Sequence, residues 1–598
     1  MSLPERDAVD PEYRFDLTQI YQTPEDWAQA RDDLDAHLDG LTDRAEEPLD
    51  SRDDLRALLE AVETAFRRKQ RLALYATLAK NVATDDDAAA DRMREFRDID
   101  SRVETAVGAV RRRLRDTDDD RLDAFVEDLD DYERYARNLR EQARYVRSAA
   151  VESVVAAHDD ARTAPTRILT AVTSEDFDPP DVERPDGESV ALRYGNFRRE
   201  LSHGDREYRR RVYEAYREEM DRYEATLTRA YAEKLAAAST EADVRGYDSV
   251  RDRDLRQGAY PESGLQSNLP EAVHDVVLDT VRENLGPYHR SQDLRRDCLG
   301  VDELGPWDRE VSLADAAPEI DYETAKSHVL DALAPLGDGY VERARSLFAE
   351  RRIDVFPTES KRTDIPAYCP SSAADGPYIL ANFRGDVRTT FFLCHELGHA
   401  VHVEHHREGP VRYATCPRPV EEVPSILHEI LLAEHLVEAG GELADAAHDR
   451  LLEFLGGNFY RSTMGAAFAH ELAGRVESGE EVTEERARET WRDLQREFEP
   501  RVVFDDRAGR NWLGRGAREP YSSYQYVLGA TGALAVRDLL RTDELAVADY
   551  REFLRSTGER DGVESFAALG CDVTTPEPFE RAAATFGTYV SAAESALG

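Results

Sequence analysis

The sequence predicts a mainly α-helical protein that carries a small β-sheet beside a helix with two histidines on one face. Three observations predict it. Apolar residues recur every three or four positions through most of the chain, as in RDDLRALLEAVETAFRRKQRLALYATLAKNV and DRMREFRDIDSRVETAVGAVRRRL, the pattern of helices that bury one stripe. Residues 353–383, IDVFPTESKRTDIPAYCPSSAADGPYILANF, are the one segment in which short apolar runs alternate with turn residues, as in a small meander. The stretch FFLCHELGHAVH, at 391–402, follows it closely.

Taken in order, residues 10–150 read as long antiparallel helices with polar connections and solvated charged faces, and nothing in them suggests chemistry. Residues 175–189, EDFDPPDVERPDGES, are rich in proline and acid and mark a loop or domain seam. Helical periodicity resumes at 205. It is interrupted by irregular zones at 257–269 and 300–318, then gives a helix near 322–333 and a strand near 352–356. Tyr378, Ile379, Leu380, Ala381, Asn382 and Phe383 form a further strand. An edge strand in that position offers main-chain hydrogen bonds to an extended peptide, so these six are the candidate substrate-binding residues. Asp386 is placed to cap the helix that VRTTFF opens. Residues 456–501 are helical again. A chain of 598 residues has room for several domains. The division expected is an N-terminal helical domain, 1–188, and a second domain, 189–598, containing helices over 387–436 and a helical part over 450–598.

Within 391–402, His395 and His399 are four residues apart and share a helix face. Both imidazoles can meet one Zn²⁺, with Glu396 beside them within reach of a metal-bound water. The apolar Phe391, Phe392, Leu393, Ala400 and Val401 predict a helix buried enough to hold ligands rigidly. Downstream, VEEVPSILHEILLAEHL offers Glu421 and Glu422 at the mouth of a second helix, with Pro424 in its first turn. Two histidines and one carboxylate leave a fourth position for water, as a catalytic zinc requires. Glu429, seven residues past Glu422, faces the same way and is placed to accept the other ring N–H of a ligand histidine. Later, RGAREPYSSYQYVLG supplies Tyr521, Tyr524 and Tyr526, neutral phenols suited to a tetrahedral oxyanion. Of the other histidines, His402 is expected to pack or to contact the ligands from behind, His405 and His406 to be exposed in a polar loop, and His428 and His435 are left unassigned.

Composition excludes several classes. Acidic residues outnumber Lys and Arg by 123 to 78, for a net charge of −45, spread along the chain. The lysines are Lys69, Lys80, Lys234, Lys326 and Lys361; the other cations are arginines. Such a surface fits a protein kept soluble in concentrated salt, where repulsion is screened, and points to a halophilic cytoplasm. It argues against nucleic acid as a partner, which needs basic stripes. Cys298, Cys369, Cys394, Cys416 and Cys571 show no paired spacing, so neither disulfides nor a thiolate zinc site is expected, and Cys394 reads as a small buried hydrophobe. The N-terminal stretch has no apolar signal core, and no run approaches a membrane span. The expectation is a cytoplasmic protein without membrane contact.

The segment GPYILANFRGDVRTTFFLCHELGHAVH followed by EEVPSILHE resembles the zinc site of the oligoendopeptidase F and thimet oligopeptidase family. DPEYRFDLTQIYQTPEDW, ADVRGYDSV and DYREFLRSTGERDGVESFAALGCDVTTPEPFERA are similar to its opening, middle and C-terminal segments. The resemblance implies a zincin-like fold, two helical halves around a deep channel, and cleavage of internal bonds in short unstructured peptides. It implies His395, His399 and Glu422 as zinc ligands (Glu422, because Glu422-Val423-Pro424-Ser425 carries the family pattern), with Glu396 as the base. It implies Glu429 as the later glutamate, and Tyr521 and Tyr524 as the transition-state tyrosines. The chain departs from the family in having no histidine after His470, where the family has one near those tyrosines; Arg515 or Arg518 is the substitute donor considered. Two other readings stand beside this one. One is a gluzincin carboxypeptidase, for which Arg384, Arg515 or Arg518 would hold the terminal carboxylate. The other is a peptide-binding protein of the same fold with little turnover.

Overall fold

Helices begin where the sequence supplies an oxygen for an otherwise unpaired backbone N–H. Thr23 accepts from Asp26 N and Asp26 returns the bond, which starts helix Pro24–Glu46. Ser51 and Asp86 cap the next two helices, Arg52–Val82 and Asp87–Asp116. These three pack together through Trp27, Leu34, Leu58, Val62, Val103 and Val107, and the Trp27 indole N–H donates to Leu72 O at 3.1 Å. The computed structural model describes the chain at all residues except 1–2, 128, 130–131, 258–266, 315–317, 414, 516–518 and 543. Parts of the two irregular zones at 257–269 and 300–318, and Arg518, therefore lie outside the described residues. The protein is mainly helical with a few small sheets. Among the described residues no helix is long and apolar enough to cross a membrane.

Among the described residues there are seven short strands. β1 (Val182–Glu183) and β2 (Ser189–Val190) pair antiparallel within and just beyond the Pro- and acid-rich stretch that the sequence marks as loop, so sheet is not confined to 353–383. β3 (Ile353–Asp354), β4 (Ala367–Tyr368) and β7 (Ile379–Ala381) form a sheet in the order β3-β7-β4. β5 (Ser371–Ser372) and β6 (Gly376–Pro377) form a hairpin. The expected free edge at 378–383 is corrected here. β7 is the central strand, parallel to β3 (Ile353 opposite Ile379) and antiparallel to β4 (Ala367 opposite Ala381). Its side chains explain why. Tyr378 and Leu380 enter the apolar core of the N-terminal helices, whereas Ile379, Ala381 and Phe383 enter the larger core of the rest of the chain. A strand buried on both faces reads as an unbroken apolar run and belongs inside a sheet.

A buried ion pair holds this sheet. Lys361 Nζ lies 2.8 Å from Asp354 Oδ1 and donates to the carbonyls of Asp354, Phe356 and Ala381, so one ammonium ties β3 to β7. The other Asp354 oxygen meets Arg6 at 2.6 Å and accepts from Phe15 N at 3.2 Å. Burial opposes charge on Asp354, but Lys361 and Arg6 outweigh it and hold the carboxyl below its usual range. The compact ammonium fits between converging carbonyls where a planar guanidinium would not, which accounts for a lysine in a chain whose cations are mostly arginine.

The helices around the two histidines form the centre of the larger core. Helix Arg418–Ala439 lies between helix Val387–His406 and helix Tyr524–Arg541. From Val423 to Ala433 every side chain of the middle helix is buried, as expected of a helix packed on several faces. Its start corrects one expectation. It begins at Arg418, so Pro424 sits in the helix interior and not in the first turn. The ring removes the bond its N–H would have made to Val420 O.

Replacing Lys361 with Met is expected to destabilise the protein by about 3–5 kcal/mol, because it leaves Asp354 buried with one cation fewer. The shift in denaturant midpoint at molar KCl measures it.

Candidate metal centre

Asp386 accepts from Thr389 N at 2.7 Å and starts the helix that carries His395, Glu396 and His399. The two imidazoles project from one face with ring centroids 4.9 Å apart. Glu422, from the next helix, brings Oε2 to 3.6 Å from His395 Nε2 and 3.9 Å from His399 Nε2. Ligands held about 2.0–2.2 Å from a tetrahedral zinc would be slightly closer to each other than this, so the three atoms fit a metal with small adjustments. The Glu421 carboxyl is not part of the cluster of three.

Glu429 sits behind His395 and accepts its Nδ1–H at 3.1 Å, which leaves Nε2 free to face Glu422. Arg450 in turn approaches Glu429 at 3.7 Å, pairs with Glu453 and lies 5.1 Å over the Phe392 ring. The charges of the cluster act on one another. Burial opposes charge on His395, but Glu429, Glu396 and Glu422 outweigh it and push its pKa up to about 9. Burial, then Glu422 and Glu429, raise Glu396 to about 7. Burial, then His395 and His428, hold His399 well below the usual range. Three carboxylates and two imidazoles share a partly buried site, an arrangement that a dication balances.

Two features fix the helix spacing, and neither was read from the sequence. The first is glycine. A Cβ on Gly398 would lie 2.5 Å from Ser425 Cα and 2.7 Å from Pro424 O, so the unspecified positions of H-E-x-x-H include the contact with the Glu422 helix. On the other side, a Cβ on Gly529 would lie 2.4 Å from Glu422 Cβ, and one on Gly532 would lie 2.9 Å from Val423 Cγ2. The second is a polar staple. His428 donates from Nδ1 to Cys394 O at 3.2 Å, Cys394 donates its S–H to His428 O at 3.5 Å, and the Tyr340 hydroxyl donates to His428 Nε2 at 2.8 Å. Burial keeps His428 neutral, with a pKa lowered to about 3, and that neutral ring is the form these bonds require. The small residue inside the motif and the Gly529/Gly532 spacing were the available signals. The staple had none, because Tyr340 comes from distant sequence.

The other expected residues are placed as follows. Cys394 is buried, as read from the sequence. His402 is buried; His405 and His406, expected to be exposed, are buried too, because the helix runs on through His406 and turns them inward. Tyr521 and Tyr524 are buried in a cluster with His274 and His470. The Tyr521 hydroxyl is 3.0 Å from His470 Nδ1, and no described contact of either tyrosine is with His395, His399 or Glu422. His470 and His274 thus stand beside the tyrosines although both precede them in sequence. Tyr526 shares a helix face with Gly529, the residue that touches Glu422. The Arg515 side chain is not among those described. A cavity of about 650 Å³ opens one turn ahead of His395, lined by Phe392, Arg388, Arg384 and Asn382 among others. Asn382 donates to Arg362 O and Ile365 O, and among the described residues its buried Oδ1 has no hydrogen-bond partner.

The chain is similar to known peptidases in sequence and in fold. The family model described as Peptidase family M3 matches residues 201–585, and that described as Oligopeptidase F matches 114–178. Oligopeptidase PepF of Bacillus subtilis is 26% identical over all of this chain and 89% of its own length. Group B oligopeptidase PepB of Streptococcus agalactiae is 25% identical over 97% of this chain and 96% of its own. In fold, a crystal structure of a peptidase from Chlamydophila abortus superposes with a TM-score of 0.83 at 20% identity, covering 99% of this chain and 100% of that one. Oligoendopeptidase-F from Enterococcus faecium gives 0.72 at 21% identity, covering 96% and 98%. With the family model matching well over half of its length, the chain belongs to peptidase family M3.

Proposed function

We propose that this protein is a zinc-dependent oligoendopeptidase that cleaves internal bonds of short, unstructured peptides. Membership of the family supports a metallopeptidase acting on oligopeptides. The observation that carries the finer reading is the convergence of His395 Nε2, His399 Nε2 and Glu422 Oε2 with Glu396 on the same helix. These three would hold one Zn²⁺ per chain, whose Lewis acidity makes water nucleophilic near neutral pH and polarises a carbonyl.

The remaining steps belong to the chain. Glu429 holds the proton on His395 Nδ1 and so keeps Nε2 available. Glu396 accepts the proton of the attacking water at its carboxylate and delivers it to the leaving amine nitrogen. Tyr521 and Tyr524 are the donors proposed for the tetrahedral oxyanion, and Tyr526 joins them because its helix face meets Glu422. Burial holds Tyr521 and Tyr524 as neutral phenols, able to donate. Tyr378, Ile379, Leu380, Ala381, Asn382 and Phe383 stay in the proposal through Asn382, which lines the cavity. We further assign residues 1–188 to a helical domain packed against the 189–598 peptidase domain. The acidic surface is read as adaptation to concentrated salt in a halophilic archaeal cytoplasm, with no nucleic-acid or membrane partner.

A carboxypeptidase reading has one supporting observation. Arg384 lines the cavity, and among the described residues it makes no ion pair.

An internally quenched peptide of roughly ten residues, blocked at both ends, separates these readings: chelator-sensitive cleavage in molar KCl is expected, and cleavage only of peptides with a free C-terminus would establish the carboxypeptidase. Glu396→Gln is expected to lower kcat by about 10²–10⁴-fold with bound metal unchanged; a near-parental rate refutes its role as base. Glu429→Gln is expected to weaken metal affinity by about 10–100-fold in a competitive chelator titration. The thermal midpoint is expected to rise from dilute buffer to molar KCl, and an unchanged midpoint would remove the salt-adaptation reading.

A further inference from the structure

Two turns beyond the first histidine pair, the same helix carries a second. His402 and His406 are again four residues apart, with ring centroids at 4.1 Å. Cys416, the second residue before helix Arg418–Ala439, joins them. His402, His406 and Cys416 are buried, and one ligand atom of each lies within 4.8 Å of the others. The three share one further neighbour, Thr557. Its Oγ1 is 3.0 Å from His402 Nε2, in contact with His406 Nε2, within hydrogen-bond reach of the Cys416 thiol, and 3.2 Å from Leu554 O. A hydroxyl has one hydrogen and two lone pairs, so it satisfies three partners and not these four. The crowding is built in. A Cβ on the adjacent Gly558 would lie 1.9 Å from Tyr413 O and 2.6 Å from Thr415 O, so the connection leading to Cys416 is pressed onto this turn.

We propose that His402, His406 and Cys416 form a second metal site, for a borderline-soft divalent ion such as Zn²⁺ or Co²⁺, with the Thr557 hydroxyl or a water as fourth ligand. Two imidazoles and a thiolate are a zinc-type donor set, and burial already keeps both imidazoles neutral, the form that coordinates. Binding releases the Cys416 thiol proton to solvent, and the thiolate takes its place on the metal. Seven residues along a helix separate the two pairs by about 10.5 Å. Cooperating metals in a two-metal hydrolase are about 3.5–4 Å apart, so this site is structural and not part of the reaction. Its place gives it a task. It ties the end of the His395/His399 helix to the start of the Glu422 helix, six residues before Glu422, and so sets the carboxylate against the two imidazoles. The site does not depend on the peptidase reading, since it uses none of the residues assigned to catalysis.

The test is Co²⁺ titration of the full chain in molar KCl, following metal content and the thiolate-to-Co²⁺ charge-transfer absorption. Wild type is expected to take up two equivalents per chain, one with the thiolate band. Cys416→Ser is expected to keep one equivalent and lose the band. His395→Ala with Glu422→Ala is expected to keep the band and lose the other equivalent. His406→Gln provides a second removal of the site should Cys416→Ser fold poorly, and wild type alone already decides. One equivalent without a thiolate band in wild type overturns the proposal, leaving a hydrogen-bonded histidine cluster around Thr557. A band that survives Cys416→Ser overturns it as well, by assigning the thiolate to another cysteine. Loss of metal from the first site alone would instead count against the peptidase reading.

Discussion

Backbone-to-backbone approach between helices is the constraint on which the site depends. His395 and His399 are on one helix and Glu422 on another, so their geometry is only as good as the distance between those helices. Gly398 sets that distance by letting Ser425 and Pro424 come closer than any side chain would allow, and Gly529 sets the opposite wall against Glu422. The reciprocal bonds between Cys394 and His428 then lock rotation of one helix on the other. Closely packed interiors transmit such constraints with little slack, which is why residues that touch no substrate decide ligand positions.

A second dependence runs through β7. Its alternating side chains belong to two different cores, so the N-terminal helices and the rest of the chain share one strand as a common wall. The strand leads directly to Asp386 and the histidine helix. Asp354, paired with Lys361 and Arg6, holds the sheet and the N-terminal segment to it. The cavity beside Phe392 is lined by Asn382, just past the strand, and by Arg388 on the helix.

The charge distribution separates surface from interior. The net charge of −45 is spread along the chain. Inside, the same abundance of acid is put to local use. Glu429 orients His395, Asp354 binds Lys361, and Glu453 pairs with Arg450 beside Glu429. Buried pairs of this kind are weak sources of net stability, although removing one partner is costly because it strands the other charge.

Much of the site was legible in the sequence because its chemistry is local. His395, Glu396 and His399 lie within one helical turn and a half, and Asp386, the Glu422 helix and Glu429 follow from caps and periodicity that a few neighbouring residues determine. The free strand edge, the exposed His405 and His406, and Pro424 in a first turn were misread for the opposite reason. Strand order, the length of a helix past its motif, and a helix start set by distant packing are decided by contacts between segments far apart in the chain. The same holds for the His428–Tyr340 bond, the His470–Tyr521 contact and the meeting of Cys416 with His402 and His406. By itself the sequence determined the helical class and put His395, Glu396 and His399 together on one helix. Only the tertiary structure decided how close the helices stand and which buried polar groups share a neighbour, because those follow from packing in three dimensions and leave no periodicity along the chain.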